Sequence, residues 1–152
     1  MNLILQLFHK LNRLRCFITR PITVGVRVLL VRESQVVLVK HSYESLWYIP
    51  GGGVKKNETV EQAMRREAAE EVGATLGDVR LFGVYTNFYE YKSDHVIVFI
   101  CEDFSIQDHK SFEIEQIAFF PCDALPANVS PGCRRRIEEY QRGQRTAITA
   151  PW

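Results

Sequence analysis

The sequence predicts an α/β protein in which a mixed central sheet carries a helix on each side. Two observations lead there. Apolar runs rich in β-branched and aromatic residues recur along the chain at strand length. Between them lie two segments with helical spacing and defined end signals, one from Thr59 to Gly73 and one after Ser130.

Within residues 1–20, Ile4, Leu7, Phe8, Leu11, Leu14 and Ile18 recur at helical spacing, interleaved with Lys10, Arg13, Arg15 and Arg20. The run from Leu3 to Phe8 is too short to span a bilayer, and no small-residue cleavage site follows it. A helix packed on the domain or on a partner copy in a homodimer is favoured. The basic pattern also permits peripheral contact with a membrane surface, and a frayed terminus is the third reading. Residues 21–142 form the main domain, and residues 143–152 a tail without a strong signal.

Ile22 to Val31 is nearly unbroken in apolar residues and reads as a central strand. A polar turn leads into Val36 to Val39, and Leu46 to Ile49 is a short extended piece stopped by Pro50 and the Gly51-Gly52-Gly53 loop. Thr59 and Gln62 fit a capping box at the start of a helix, and Gly73 stands where a left-handed residue ends it. Val79 to Tyr91 and His95 to Phe104 are two long strands joined by a hairpin at Lys92 to Asp94. Ile117 to Phe120 is a further strand. Ser130 and Pro131 open a second helix as its cap and first residue, with the run Arg134, Arg135 and Arg136 on a solvated face.

A net charge of +1 predicts neither a nucleic-acid binder nor an acidic scaffold. Cys16, Cys101, Cys122 and Cys133 show no C-x-x-C pairing, which fits reduced thiols in a cytoplasmic protein. His9, His41, His95 and His109 are scattered and read as surface or strand residues.

The helix after Thr59 carries the chemistry. Glu67, Glu70 and Glu71 fall within an arc of about 100°, the same arc that holds Val60, Ala63 and Met64. Carboxylates that close repel, and burying them unpaired is costly. A divalent cation relieves both problems. Arg66 reads as an orienting residue that projects away from this arc, and Glu58 as a residue that holds the preceding loop, through Arg66.

From Gly52 to Ala74 the stretch fits G-x5-E-x7-R-E-U-x-E-E-x-G-U, with Gly52, Glu58, Arg66, Glu67, Glu70, Glu71 and Gly73 on their places. Ala68 and Ala74 stand at positions that are usually bulky aliphatics, which implies closer packing of the helix on its sheet. The chain thereby resembles the Nudix hydrolases over residues of about Ile22 to Gln141. That resemblance implies an α/β/α sandwich and an Mg²⁺-dependent hydrolase, with Mn²⁺ as a substitute. The substrate is a small nucleotide, a nucleoside diphosphate linked to another moiety. Sugar nucleotides, ADP-ribose, dinucleoside polyphosphates and nucleoside triphosphates all stay open.

The resemblance also implies roles. Glu67, Glu70 and Glu71 are metal ligands, and the Gly51 carbonyl is a further ligand. Glu113, Glu115 in second place, or Glu67 is the general base. Gly52, Glu58 and Gly73 stabilise the loop and helix. A non-catalytic nucleotide-binding module is the rival reading, but such proteins usually lose a box glutamate and none is missing here.

Overall fold

Strand β1 (Ile22–Arg32) is the axis of the protein, as a computed structural model shows. The structure describes residues 15–89, 91–107 and 111–152. The other strands are β2 (Gln35–His41), β3 (Trp47–Tyr48), β4 (Ala74–Leu76), β5 (Val79–Tyr89), β6 (Lys92–Cys101), β7 (Phe104–Ile106), β8 (Ile114–Pro121) and β9 (Ile148–Pro151). Side chains of β1 alternate between two cores, with Val26, Val28 and Leu30 in one and Leu29 and Val31 in the other. Burial on both faces explains its continuous apolar run.

One seven-stranded mixed sheet results. β1 runs parallel to β6 from Ile22 to Leu30, β6 is antiparallel to β5, and β5 is parallel to β9. β2 lies antiparallel to β8. Helix α1 (Val60–Val72) buries Ala63, Met64, Ala68 and Val72 on the Val26–Val28–Leu30 face. Helix α2 (Pro131–Gln141) covers the opposite face with Cys133 and Ile137. The α/β/α sandwich expected from the sequence is the architecture observed.

α1 starts where its chemistry dictates. The Gln62 amide donates to Thr59 Oγ1 at 3.2 Å and the Thr59 amide donates to Gln62 Oε1 at 2.8 Å, a closed capping box. Such a cap contributes about 1 kcal/mol. Gly73, at φ 64°, ends the helix in the left-handed region.

The sheet divides beside β1. β1 pairs with β2 at only two positions, Val31 with Val36 and Arg32 with Gln35. Beyond them β2 pairs with β3 instead, through Val39–Tyr48 and Lys40–Trp47. The glycine loop takes the edge of β1 that β2 leaves open. Val28 donates to the Pro50 carbonyl at 2.9 Å, Val26 to the Gly52 carbonyl at 2.8 Å, and Val54 to the Val24 carbonyl at 3.1 Å. A backbone edge that would otherwise lack partners thus fixes the loop.

Several elements differ from the sequence expectation. The last ten residues contribute strand β9 to the sheet. Lys92 to Asp94 are not the hairpin connection but belong to β6, paired with Tyr89, Phe88 and Asn87. The strand expected to run to Phe104 stops at Cys101 and resumes as β7, which pairs with β4 in a separate two-stranded sheet. Ser130 occupies the cap position of α2 but makes no side-chain cap bond. The arginine run is only partly a solvated face, with Arg135 exposed and Arg136 buried. Arg136 is 2% exposed and stacks on Tyr85, Arg134 donates to the Pro126 carbonyl, and Arg135 donates to the Trp152 carbonyl. Residues 15–19 are helical, and the rest of the expected N-terminal helix lies outside the described residues.

Candidate active site

α1 presents its three box glutamates at graded depth. The side chain of Glu71 is 8% exposed, that of Glu67 14% and that of Glu70 55%. The gradient follows from helix geometry: Glu71 continues the buried stripe of Met64 and Ala68, whereas Glu70 sits at its rim.

The glycine loop closes over this face. The Gly51 amide donates to Glu71 Oε2 at 2.9 Å. Gly51 has φ 145°, and a Cβ there would meet the Val26 carbonyl oxygen at 2.1 Å. A Cβ on Gly52 would lie 2.6 Å from the Glu67 carboxylate. Gly51 is therefore closed to any side chain, and a side chain at Gly52 would displace the Glu67 carboxylate.

Arg66 is the hub of the rim. Its Nε and Nη2 hold both oxygens of Glu58 at 3.0 and 2.7 Å. Its Nη1 reaches Glu67 at 2.7 Å and Glu70 at 3.1 Å, and Nη2 also donates to the Gly53 carbonyl at 3.2 Å. Arg66 therefore lies against the acidic arc rather than pointing away from it. Glu58 accepts in addition from the Lys55 amide at 2.6 Å, which ties the loop to the helix. The guanidinium and that amide hold the Glu58 carboxyl well below its ordinary pKa.

Glu71 is shifted the other way. Burial raises its pKa to about 7, with Glu67 and Glu113 adding to the rise, while the Gly51 amide and Arg27 oppose it. Glu113 lines the same cleft of about 280 Å³ as Glu67 and Glu71. It arrives there because the β2–β8 register shifts between Lys40 and His41, and its own carbonyl accepts from the Ser42 amide at 2.9 Å. Glu115 is instead paired with Lys40 at 3.5 Å. Gly73 lies at the far end of α1, where its amide bonds the Ala69 carbonyl.

Arg27, His41, Tyr43 and Tyr48 complete the cleft, and none of them was predicted as a catalytic or metal-binding residue. Arg27 Nη1 donates to the carbonyls of Ile49 and Gly51, both at 3.0 Å. The sequence held a signal for it, since Arg27 is the one charged residue between Ile22 and Val31. His41 Nε2 lies 3.9 Å from Glu71 Oε1, and burial lowers its pKa, with Arg27 adding to the effect. Tyr48 donates to Glu44, and its pKa is raised by burial and by that bond. A second groove of about 360 Å³ shares Arg27, Gly52 and Gly53 with the cleft and adds Thr23, Asn87 and Lys92.

The donor set suits a hard divalent cation, because every candidate ligand is an oxygen. A cation would also offset the burial and, to a lesser degree, the like charges that raise the pKa of Glu71. The cage is not closed in advance. Among the described residues no three His, Cys, Asp or Glu side chains are grouped to hold an ion. Arg66 draws Glu67 and Glu70 to itself, and Arg27 occupies one side of the Gly51 carbonyl. Glu113 and Glu71 share one cleft, Glu58 stands behind Arg66, and Glu115 and Gly73 are apart from it.

A family model described as the NUDIX domain matches residues 20–140. The chain is 44% identical over 73 residues to an RNA pyrophosphohydrolase of Haemophilus influenzae, a match that takes in 48% of this chain and 36% of that protein. It is 41% identical over 73 residues to an RNA pyrophosphohydrolase of Erwinia tasmaniensis, covering 48% of this chain and 41% of the relative. The match to these curated relatives thus spans less than half of their length. Among solved structures, a MutT NUDIX hydrolase from Burkholderia pseudomallei superposes with a TM-score of 0.70 at 26% identity, covering 82% of this chain and 98% of that one. A NUDIX hydrolase from Nitrosomonas europaea gives a TM-score of 0.67 at 22% identity over 84% and 77% of the two chains, which speaks to fold alone.

Proposed function

The chain belongs to the Nudix hydrolase family, and from that premise we propose that it is an Mg²⁺-dependent hydrolase. It cleaves a phosphoanhydride bond in a nucleoside diphosphate linked to another moiety. The observation that carries this reading is the buried Glu71 carboxylate, held by the Gly51 amide and crowded by Glu67 and Glu113 in an open cleft.

Glu67, Glu70 and Glu71, with the Gly51 carbonyl, would hold Mg²⁺, and Mn²⁺ would substitute. Bound there, the cation neutralises phosphate charge and makes a water more acidic. Arg66 acts as a positioning residue that sets the rotamers of Glu67 and Glu70 and anchors the loop through Glu58. Glu113 is the proposed general base for the attacking water, with Glu67 as the alternative. Arg27, shared by the two recesses, is the proposed contact for a phosphate at their border, with the nucleoside side of the substrate in the second groove. The four unpaired, buried thiols fit a reducing cytoplasm.

A second reading concerns the substrate. The identity to RNA pyrophosphohydrolases over 73 residues favours adding a triphosphorylated RNA 5′ end to the candidates. A panel of sugar nucleotides, ADP-ribose, dinucleoside polyphosphates, nucleoside triphosphates and a 5′-triphosphorylated oligoribonucleotide, read by mass spectrometry with Mg²⁺, separates them. Tight binding to one compound without product from any would instead favour a non-catalytic nucleotide-binding module.

Three substitutions test the residues. Glu70→Gln or Glu71→Gln is expected to lower kcat by about a hundredfold or more at limiting Mg²⁺. Near-normal rates in both would refute the ligand assignment. Glu113→Gln is expected to lower kcat with Mg²⁺ affinity unchanged, and no loss would hand the role of base to Glu67.

A further inference from the structure

Where β1, β6 and β5 lie side by side, their register brings Thr23, Asp94 and Asn87 into one row, with Asp94 in the middle. Asn87 and Asp94, directly opposite each other on antiparallel strands, stand about 5 Å apart at Cβ. The row lines the second groove, and so does Lys92, two residues before Asp94 and on the same face of β6. Next along that face Gly25 pairs with Val96. Gly25 presents no side chain, so the floor there is low and apolar.

The row is polar and only partly satisfied within the protein. Thr23 Oγ1 donates to Asp94 Oδ1 at 2.6 Å, which fixes the carboxylate and fills one of its roughly four acceptor sites. Among the described residues, the side chains of Asn87 and Lys92 make no hydrogen bond or ion pair. Arg27 stands four residues beyond Thr23, about 13 Å along β1, where the groove meets the cleft. A phosphate at Arg27 leaves the base to lie over Gly25 and Val96 with its edge at the row.

We infer that the Thr23–Asp94–Asn87 row makes the groove selective for guanine nucleotides, an inference that rests on the nucleoside of the substrate occupying this groove. A carboxylate only accepts, whereas the Asn87 amide and the Lys92 ammonium both donate. The groove thus sets donors beside an acceptor. Guanine alone among the bases carries two acceptors, N7 and O6, next to two donors, N1–H and the 2-amino group. Asp94 accepts from both donors, and Asn87 and Lys92 donate to O6 and N7. Adenine and cytosine turn a ring-nitrogen lone pair toward the carboxylate. Uracil supplies a single N–H flanked by carbonyls.

The test is calorimetric binding of GDP, IDP, ADP, CDP and UDP to the full chain with Mg²⁺, since these share the nucleoside end whatever the leaving moiety is. GDP is expected to bind tighter than ADP, CDP and UDP by about tenfold to a hundredfold. IDP, which lacks the 2-amino group, should bind about fivefold to tenfold more weakly than GDP. Asp94→Asn turns N–H groups toward those of guanine and should weaken GDP by about tenfold or more, leaving it no tighter than ADP. Asn87→Ala leaves the Thr23–Asp94 bond in place and should weaken GDP by about fivefold with an unchanged melting temperature. Equal affinities, no binding of any of the nucleotides, or an Asp94→Asn protein that keeps its preference for GDP would overturn the inference. Selective GDP binding without turnover of any guanine nucleotide would remove the hydrolase and keep the guanine site. Turnover indifferent to the base would do the reverse.

Discussion

Arg66 and Arg136 both lie on helices with an acidic residue three or four positions later, yet their surroundings are opposite. Arg66 is gripped by Glu58, Glu67 and Glu70 at a partly open rim. Arg136 is enclosed, with the Tyr85 ring 3.7 Å and the Trp152 ring 5.6 Å from its guanidinium carbon, Glu139 at 2.6 Å and the Pro151 carbonyl at 3.1 Å. At the rim, Glu58, Glu67, Glu70, Glu71 and Glu113 outnumber Arg27, Lys55 and Arg66. Around Arg136 one carboxylate answers one cation, and aromatic faces supply the rest. Surplus charge of one sign invites a ligand, whereas balanced charge under aromatic cover fastens β9 and α2 to the sheet.

The widest separation is expected from removing each arginine in turn. Arg66→Ala should lower turnover by about a hundredfold, with a weaker Mg²⁺ dependence, and change stability by only about 1 kcal/mol. Arg136→Ala should cost about 3 kcal/mol in denaturant unfolding, because it strips a buried ion pair and its stacking, and leave the turnover of folded protein unaltered. Exchanged phenotypes would break the comparison.

Glu71→Gln sharpens it at the next level. The ordinary pKa of this carboxyl is 4.5, and in the folded protein it is raised to about 7. Between those values the folded state holds a proton that the unfolded chain has released, so stability falls as pH rises through the window. Glu71→Gln, which keeps an acceptor for the Gly51 amide, should therefore stabilise the metal-free protein at pH of about 8 by about 1–3 kcal/mol. Thermal melting in chelator reads this, and an unchanged melting temperature would mean the charge is not buried. Adding Mg²⁺ should raise the melting temperature of the parent and not of Glu71→Gln. Smallest of all, Arg142→Ala removes an exposed pair with Glu138 and should change stability by less than about 0.5 kcal/mol, the baseline for the others.

α1 was legible because its signals are local: the Thr59–Gln62 box, Gly73 and the acidic arc all lie within one stretch. β1 was legible as one apolar run. What escaped depends on partners distant in sequence. β4, β7 and β9 are too short for their periodicity to register and are defined by pairing alone. Arg136 looked like part of a solvated run, since its burial is created by Tyr85 and Trp152. Arg27 drew no reading of its own from the sequence, although its lone position in an apolar strand was a usable clue. The entry of Glu113 into the cleft rests on a register shift between Lys40 and His41, which residue type does not encode.

The parting of β1 from β2 has a practical consequence. The amides of Val26 and Val28 are held by carbonyls of the glycine loop, not by a neighbouring strand. Their deuterium uptake therefore gauges how firmly the loop is seated, independently of any assay of turnover. A ligand that tightens the loop should slow exchange at these two sites while the β1–β6 ladder stays as it was. The molecule thus carries an intrinsic occupancy meter in the middle of an interior strand.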